Sequence, residues 1–331
     1  MCPTRSMSSQ AILPNETPKV SIIVPCKNVD IYVQECIDGC MALDYPSTEI
    51  LLLPDSPPGL ESRGGNTIPT GPLKPGSKRN IGVKHATGEF YAFIDSDAYP
   101  TRDWLRNSLR YFADPDVAGV GGPSITPEGD SLMQKASGAV YSSMIGGFKF
   151  AFRYSFKKFQ ETDDLPSCNL IVRASVFNKT GGFDDGFLTG EDTKACMDIV
   201  YRQGKRLIYA PDVAVYHHRR PLFKPHLKQV WTYARHRGFF AKIFPRTSRR
   251  LIYFMPSVFV AALVGGVLLS FIPLIKFLFT IMCTAYLVGI VLAGLSTKNL
   301  RLFLIVPVGI SLTHLTYGVG FISGLLSEKV E

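Results

Sequence analysis

The sequence has few cysteines, and their spacing predicts neither a disulfide framework nor a zinc site. Seven cysteines are scattered over 331 residues, and only Cys36 and Cys40 share a helix face at i and i+4. A disulfide scaffold or a zinc site needs further cysteine or histidine pairs at defined spacing. We therefore expect a domain that stays reduced in the cytosol.

Acidic residues are missing from one stretch of the chain. Residues 217–250 contain ten Lys and Arg and no Asp or Glu, whereas residues 1–216 contain 22 basic and 25 acidic residues. The formal net charge of +9 therefore comes from a short segment and not from a basic face of the main domain. This distribution argues against a nucleic-acid partner.

Formal charge is absent from three long segments near the C-terminus. Residues 251–275, 277–297 and 302–327 form charge-free runs of 25, 21 and 26 residues. Each run is longer than the roughly 18 apolar residues that indicate a membrane span. The sequence predicts three transmembrane helices, although the short link near Pro273 leaves open a hairpin that lies only partly in the membrane.

The basic residues around these segments predict how the protein is oriented. The basic stretch precedes the first segment, and Lys298 and Arg301 lie between the second and third, whereas Lys276 alone opposes this arrangement. Because positive charge favours the cytoplasmic side, we expect a multi-pass membrane protein whose main domain is cytoplasmic. The predicted parts are a disordered tail over 1–18, an α/β domain over 19–218, a basic juxtamembrane segment over 219–250 beside membrane lipids, and three membrane helices over 251–327.

Short apolar runs alternate with helical patterns through the predicted α/β domain. The runs at 20–24, 49–53, 90–94 and 117–121 predict strands, and helical patterns at 29–42 and 78–86 lie between them. Such alternation predicts a mostly parallel sheet with helices on both faces and functional groups at the carboxyl ends of its strands. The residues that close or follow the first two strands are expected to bind substrate: Pro25, Lys27, Asn28 and Asp55.

Two further segments have helical patterns. Residues 141–160 carry aromatic and basic residues in amphipathic alternation, and a membrane-surface helix and an ordinary surface helix both remain open. The other segment predicts a helix from Glu191 to about Gln203.

The most informative motif is Asp95-Ser-Asp97, which directly follows the apolar run at 90–94. Two carboxylates at i and i+2 beyond a buried strand can turn toward one point, where their mutual repulsion requires a cation. Their oxygen ligands suit a hard divalent ion such as Mg²⁺ or Mn²⁺. The alternative is that Asp95 caps the next helix and Asp97 is a turn residue.

A second acidic motif and a histidine pair follow later in the chain. Gly190-Glu191-Asp192 opens the helix predicted over 191–203, and His217-His218 ends a strand predicted at 213–216. Each motif has an ordinary interpretation. The acidic residues can be partners of the helix dipole, and the histidines can be surface residues. Two acidic sites and a terminal histidine pair in one α/β domain favour a functional interpretation.

Taken together, these motifs resemble the family 2 glycosyltransferases, which have the GT-A fold and are inverting, nucleotide-sugar-dependent enzymes. The resemblance covers about residues 19–240. Its elements, in chain order, are Val20-Ser-Ile-Ile-Val-Pro with Asn28, Arg79-Asn80-Ile81-Gly82, Ala86-Thr-Gly88-Glu, Asp95-Ser-Asp97, Gly181-Gly-Phe-Asp184, Gly190-Glu-Asp192 and Tyr216-His217-His218.

The resemblance implies roles for several residues. Asp95 and Asp97 would hold a divalent metal and the nucleotide diphosphate, and His217 or His218 would complete the metal site. Asp192, with Glu191 beside it, would be the catalytic base, and Arg79 would lie by the nucleotide.

Two departures from the family pattern bear on specificity. Only Asp55 remains of the family's usual acidic pair after the second strand, which bears on recognition of the uracil of a UDP-sugar, the donor we expect. In place of the Gln-x-x-Arg-Trp motif of processive relatives, the chain has Gln229, Tyr233 and Arg235. Their spacing places them on one helix face that closes over the diphosphate or acceptor, or on a plain membrane-surface helix. The departure favours transfer of a single sugar.

The sequence therefore predicts an α/β GT-A domain followed by transmembrane helices. Its leading function is transfer of one sugar from a nucleotide sugar to a lipid-linked acceptor, such as a polyprenyl phosphate, at the cytoplasmic face. Two alternatives remain: a membrane nucleotidyltransferase, which also uses paired carboxylates and a metal, and a catalytically silent subunit that binds a partner glycosyltransferase.

Overall fold

The computed structural model of the chain describes residues 17–57 and 65–330. Nearly all of the tail predicted over 1–18 lies outside the described residues. The structure places eleven strands in these ranges, namely β1 (Val20–Pro25), β2 (Thr48–Leu53), β3 (Asn66–Thr67), β4 (Phe90–Ile94), β5 (Ala98–Pro100), β6 (Val117–Gly121), β7 (Ser124–Ile125), β8 (Gln160–Thr162), β9 (Asn169–Arg173), β10 (Arg206–Tyr209) and β11 (Val215–His217).

Two sheets organise the α/β domain. The large sheet has the strand order β3-β2-β1-β4-β9-β6-β10-β8, and a small sheet has the order β5-β11-β7. Strand β1 pairs in parallel with β2 and β4, and β10 pairs in parallel with β6. The predicted parallel sheet is interrupted by β9, which runs antiparallel to β4 and β6 and which the sequence patterns did not predict.

Helices cover both faces of the large sheet, which buries two apolar clusters. Helix α1 begins at Ile31 because the Asp30 carboxylate accepts hydrogen bonds from the backbone N–H groups of Tyr32 and Val33. The helices of this domain are α1 (Ile31–Met41), α2 (Pro75–His85), α3 (Trp104–Leu109), α4 (Leu132–Ser142), α5 (Met144–Gly147), α6 (Ala174–Phe177) and α7 (Glu191–Met197).

Two predicted helices are corrected by the structure. No single helix spans 141–160, because α4 ends at Ser142, the short α5 follows, and a 3₁₀ segment continues over Phe148–Arg153. Ser143 accounts for the break, since its extended backbone ends α4 and its hydroxyl caps α5. The helix predicted to run to Gln203 is α-helical only over α7 and continues as a π turn over Asp198–Arg202.

The basic segment predicted over 219–250 folds into helices that pack on protein. These are α8 (Lys224–Ile243) and the short α9 (Pro245–Ser248), and three long apolar helices follow as α10 (Leu251–Leu268), α11 (Pro273–Leu295) and α12 (Leu300–Leu326). All three are long and apolar enough to cross a membrane. Helix α12 packs along α8 and also contacts α4, so the apolar helices pack against the rest of the chain.

Glycines allow the backbones of α8 and α12 to approach closely. A Cβ added at Gly238 of α8 would lie 2.1 Å from the Phe321 carbonyl oxygen, and one at Gly324 of α12 would lie 1.9 Å from the Arg235 carbonyl oxygen. No real Cβ tolerates such distances, so the contact depends on glycine on both helices. Small residues commonly allow close packing between transmembrane helices as well.

The arginines at the end of the basic segment also contact protein. Arg250 forms an ion pair with Asp163, Arg249 donates to the Ala241 carbonyl 3.0 Å away, and Arg246 lies over the Tyr201 ring. Arg250 and Arg246 thus join the start of α10 to the α/β domain, and the interfacial position predicted for this basic segment stays a prediction.

We predict that Gly324→Ala destabilises the protein, because the added methyl group forces α8 and α12 apart. Overpacking of this kind costs about 1–3 kcal/mol. Gly265→Ala in α10 is the matched control, since a Cβ there meets nothing within 4 Å; helix propensity makes that change neutral or stabilising by up to about 1 kcal/mol. Thermal unfolding in detergent measures both, and equal melting temperatures for the two variants would contradict the assigned contact.

Candidate active site

A cluster of potential metal ligands forms where the two sheets meet. Strand β4 ends at Ile94, and Asp95 and Asp97 follow it directly. In the small sheet β11 pairs antiparallel with β5, and this register sets His217 opposite Ala98. One ligand atom each of Asp95, Asp97 and His217 therefore lies within 4.8 Å of the others.

The donor set of this cluster fits a hard divalent ion. Two carboxylates and one imidazole are common ligands of Mn²⁺, and the carboxylates also suit Mg²⁺. The His217 Nε2 lies 3.1 Å from an Asp97 oxygen, and Arg220 lies 3.5 Å from the other. Although burial opposes ionisation, His217 and Arg220 lower the pKa of Asp97 to about 2, so its carboxylate is ionised at neutral pH.

His218 lies outside this cluster. Its Nδ1 is 2.5 Å from an Asp130 oxygen, and its Nε2 is 2.9 Å from a Glu35 oxygen. The Tyr32 ring also contacts the imidazole at a centroid distance of 4.5 Å. Because both ring nitrogens already have carboxylate partners, His217 is the better candidate ligand of the predicted pair.

Arg79 connects the metal-ligand cluster to the second acidic motif. It lies on α2 with only 3% of its surface exposed. One guanidinium nitrogen is 2.5 Å from Asp95, and the other is 2.8 Å from Glu191. The predicted position of Arg79 beside a phosphate site is therefore compatible with its neighbours, and its charge balances two carboxylates.

Glu191 and Asp192 occupy the first turn of α7, after Gly190 with φ of 86°. The Asp192 carboxylate accepts from the backbone N–H groups of Ser167 at 3.1 Å and Thr193 at 2.7 Å. Burial and the nearby charge of Asp164 nonetheless raise the pKa of Asp192. Burial and the Asp192 charge likewise raise the pKa of Glu191 to about 7. A carboxylate with a raised pKa that faces a cavity suits a general base.

Sequence reasoning missed an ion cluster centred on Asp164. The Asp164 carboxylate lies 3.2 Å from Arg153 and 3.1 Å from Arg237, and it accepts from the Thr193 hydroxyl at 3.1 Å. Arg237 comes from α8, so the cluster attaches that helix to the domain beside Asp192. Nothing in the local pattern of Asp163-Asp164 distinguished it from a surface loop, because its partners are distant in sequence.

The residues predicted to bind substrate after β1 and β2 differ in whether they line the cavity. Pro25 and Lys27 line the cavity, whereas Asn28 is exposed and does not. Asp55 forms an ion pair with Lys78, a buried cavity residue that also donates to the Cys26 carbonyl at 2.6 Å. Lys78 was not predicted, and one Asp55 oxygen is consequently occupied.

The face of α8 toward the cavity differs from the predicted one. Gln229 donates to the Tyr233 hydroxyl at 3.1 Å, and both line the cavity. Arg235 does not line it, whereas His236, Arg237 and Phe240 do. The reason is helical geometry: residues at i+4, i+7 and i+8 share the face of Gln229, and residue i+6 points elsewhere.

One cavity of about 860 Å³ joins these groups. Its lining includes Asp95, Asp97, Glu191, Asp192 and His217 at one end. At the other end it is lined by residues of the apolar helices, namely Ile252, Tyr253 and Pro256 from α10 and Thr313, His314 and Tyr317 from α12.

Comparison with known proteins identifies the family. Residues 92–314 match the model for Glycosyl transferase family group 2, a span of more than half the chain. The chain belongs to this family. It is thus a glycosyltransferase by family, as the motifs predicted.

Two relatives illustrate how far sequence similarity extends. A Methanococcus voltae protein is 23% identical over 93% of this chain and 97% of its own length; it is named dolichyl N-acetyl-alpha-D-glucosaminyl phosphate 3-beta-D-2,3-diacetamido-2,3-dideoxy-beta-D-glucuronosyltransferase. The pre-mycofactocin glycosyltransferase of Mycobacterium tuberculosis is 34% identical over 44% of this chain, and the match spans only 30% of that relative's length.

A solved structure has a similar fold. The mannosyltransferase PcManGT from Pyrobaculum calidifontis, in complex with GDP-Man and Mn²⁺, superposes with a TM-score of 0.62 over 98% of this chain and 92% of its own, at 18% identity. This similarity confirms the α/β GT-A architecture followed by apolar helices.

We predict that Asp97→Asn retains the fold and loses divalent-ion-dependent nucleotide binding, because a neutral amide replaces a charged candidate ligand. The rate of sugar transfer should fall about a hundredfold or more. Calorimetric titration of UDP and GDP with and without Mn²⁺ measures the binding. Asp103→Asn, an exposed change outside the cavity, is the control; near-parental activity in Asp97→Asn would refute the metal-site assignment.

Proposed function

We propose that this chain is a metal-dependent, inverting glycosyltransferase that moves one sugar from a nucleotide sugar to a lipid-linked acceptor at the cytoplasmic face of a membrane. The observation that carries the proposal is the single cavity, which reaches from Asp97 and Asp192 to Tyr253 and Tyr317 on the apolar helices. An acceptor anchored in the bilayer needs such a path, whereas a soluble acceptor does not.

The donor half of the proposal rests on the acidic cluster. Asp95, Asp97 and His217 would hold Mg²⁺ or Mn²⁺, which supplies positive charge for the departing diphosphate. Arg79 and Lys78 add two buried cations on the same side. A UDP-sugar is the donor we favour, and a screen of UDP-, GDP- and dTDP-sugars for metal-dependent binding tests this choice directly.

The acceptor half rests on the membrane end of the cavity. Its wall is mostly aromatic and aliphatic there, which suits an acyl or polyprenyl chain. The name of the Methanococcus voltae relative contains a dolichyl phosphate, and the match spans nearly all of both chains. We therefore favour a polyprenyl-phosphate-linked acceptor, with the surrounding membrane lipids as the second partner.

Asp192 is the residue we assign as general base, with Glu191 as a supporting carboxylate. In an inverting transfer the acceptor oxygen attacks the anomeric carbon, its proton passes to a carboxylate, and the diphosphate leaves from the opposite face. The backbone N–H groups of Ser167 and Thr193 hold the Asp192 carboxylate in place. Arg79 forms an ion pair with one oxygen of Glu191, whereas Asp192 forms no ion pair with a cation of the described residues.

Family membership and the acidic cluster favour this function over both alternatives. A nucleotidyltransferase releases pyrophosphate and a silent subunit transfers nothing, so product analysis with a radiolabelled sugar nucleotide separates the three. The basic residues Lys298 and Arg301 between α11 and α12 support a cytoplasmic catalytic domain. Protease protection in sealed vesicles tests that orientation.

We predict that Asp192→Asn binds the sugar nucleotide normally yet transfers sugar to a hydroxyl acceptor about 10²–10⁴-fold more slowly, because no base takes the proton. In the parent the rate should fall on acidification at a higher pH than an ordinary carboxyl's range, since the pKa of Asp192 is raised and only its ionised form accepts a proton. Asp185→Asn, an exposed change outside the cavity, is the control. Loss of nucleotide binding in Asp192→Asn would make Asp192 a structural or metal-binding group.

We also predict that Ile252→Trp blocks the acceptor path. Ile252 lines the membrane end of the cavity, and the larger indole should raise KM for a polyprenyl-linked acceptor while donor binding stays unchanged. The neighbouring Leu251 is 87% exposed and does not line the cavity, so Leu251→Trp is the matched control. Equal acceptor KM values for the parent and Ile252→Trp would contradict entry from the membrane end.

A further inference from the structure

The cavity wall contains a buried arginine that lacks a counter-charge. Three cations are buried in the described part of the chain, namely Lys78, Arg79 and Arg219. Lys78 pairs with Asp55, and Arg79 pairs with Asp95 and Glu191. Arg219 is 8% exposed and forms no ion pair with a carboxylate of residues 17–57 or 65–330. A buried guanidinium without an anion is costly, so this exception needs a physical reason.

The present partners of Arg219 leave part of its hydrogen-bonding capacity unused. It donates to the Ser124 carbonyl, to the Thr126 hydroxyl at 3.5 Å, and toward His217 Nδ1 at 3.2 Å. A guanidinium has five N–H donors, so two of them have no acceptor within residues 17–57 and 65–330. All three partners are neutral or cationic groups, and none compensates the charge.

A second unsatisfied group lines the cavity beside Arg219. The Tyr141 hydroxyl is buried and has no hydrogen-bond partner among the described residues. The Tyr154 ring contacts both residues, since it lies 4.9 Å from the Arg219 guanidinium carbon and stacks on the Tyr141 ring at 4.9 Å. Arg219, Tyr141 and Tyr154 all line the cavity. A guanidinium with two unused donors and a phenol with no partner in the described part of the chain thus both contact the Tyr154 ring.

We propose that Arg219 and Tyr141 form a subsite for a phosphoryl group of a substrate. Guanidinium forks match phosphate oxygens in geometry and charge, and a phenol adds one further donor. The site lies between two sources of phosphate. Arg219 contacts the candidate metal ligand His217, where a donor diphosphate would bind, and Tyr141 lies on α4, which packs on the membrane helix α12. The inference rests on the proposed function and specifies how that site recognises its substrate.

The experiment uses the full chain in detergent or nanodiscs, with Tyr141→Phe and Arg219→Gln as variants. The donor probes are UDP and GDP with Mn²⁺, and the acceptor probe is phytanyl phosphate, with phytanol as the matched lipid without phosphate. Tyr111→Phe and Arg106→Gln are controls, because Tyr111 and Arg106 have partners outside the cavity. Calorimetry measures affinity, and thermal unfolding measures stability.

We expect Arg219→Gln to weaken one phosphoryl probe about tenfold to a hundredfold, and Tyr141→Phe to weaken the same probe about threefold to tenfold. Phytanol binding should not change. Without ligand, Tyr141→Phe should unfold at the parental temperature or above it, because removal of an unpartnered buried hydroxyl leaves nothing unsatisfied. Loss of phytanyl phosphate binding identifies the acceptor as the source of the phosphate, and loss of nucleotide binding identifies the donor.

Two results would overturn the subsite. One is parental affinity of Tyr141→Phe and Arg219→Gln for all phosphoryl probes, which would make the unpaired charge a structural feature. The other is a lower melting temperature of ligand-free Tyr141→Phe with unchanged affinity, which would give the hydroxyl a packing role. A parent that binds neither nucleotide nor phytanyl phosphate would instead refute the proposed function itself, so the two failures are distinguishable.

Discussion

The buried guanidinium of Arg79 is the interaction on which the site depends. Without it, Asp95 after β4 and Glu191 at the start of α7 would face one another as uncompensated carboxylates. Because like charges in a buried site repel, the two acidic motifs can share one cavity only if a cation separates them. Arg79 is fixed in turn by α2, whose Gly82 packs closely on β1 and β2. The core of the sheet thus determines where the carboxylates lie.

Charge is arranged in the same way beside Asp192. Asp164 is held by Arg153 from the α/β domain and by Arg237 from α8, so the ion cluster crosses the boundary between them. Helix α8 also contacts α12 through glycines. Ionic and backbone contacts therefore join the α/β domain to the apolar helices, and they fix the position of the candidate base relative to those helices.

The cavity therefore has two chemically different halves. The end near β4 is acidic and suits a cation with its bound diphosphate, and the end between α10 and α12 is lined by aromatic and apolar groups. Arg219 and Tyr141 also line this cavity. An enzyme that joins a water-soluble donor to a lipid-linked acceptor needs such a division, because each substrate approaches from a different solvent.

The sequence by itself determined the elements whose signal is local. Buried strands such as β1 and β4 are continuous apolar runs and the apolar helices are charge-free, so periodicity and composition predicted them. The positions of Asp95, Asp97 and Asp192 at strand and helix boundaries are also local, whereas the role of Asp192 as base was implied by the family resemblance. Tertiary structure alone decided which distant groups meet. The register of β11 against β5 decides that His217, and not His218, joins the metal-ligand cluster. The face that α8 turns to the cavity decides that Arg237, and not Arg235, lines it. The partners of Asp164, Lys78 and Arg219 lie far away in sequence. No local pattern encodes these contacts, because they arise only when the packing of the sheet and helices brings separate segments together.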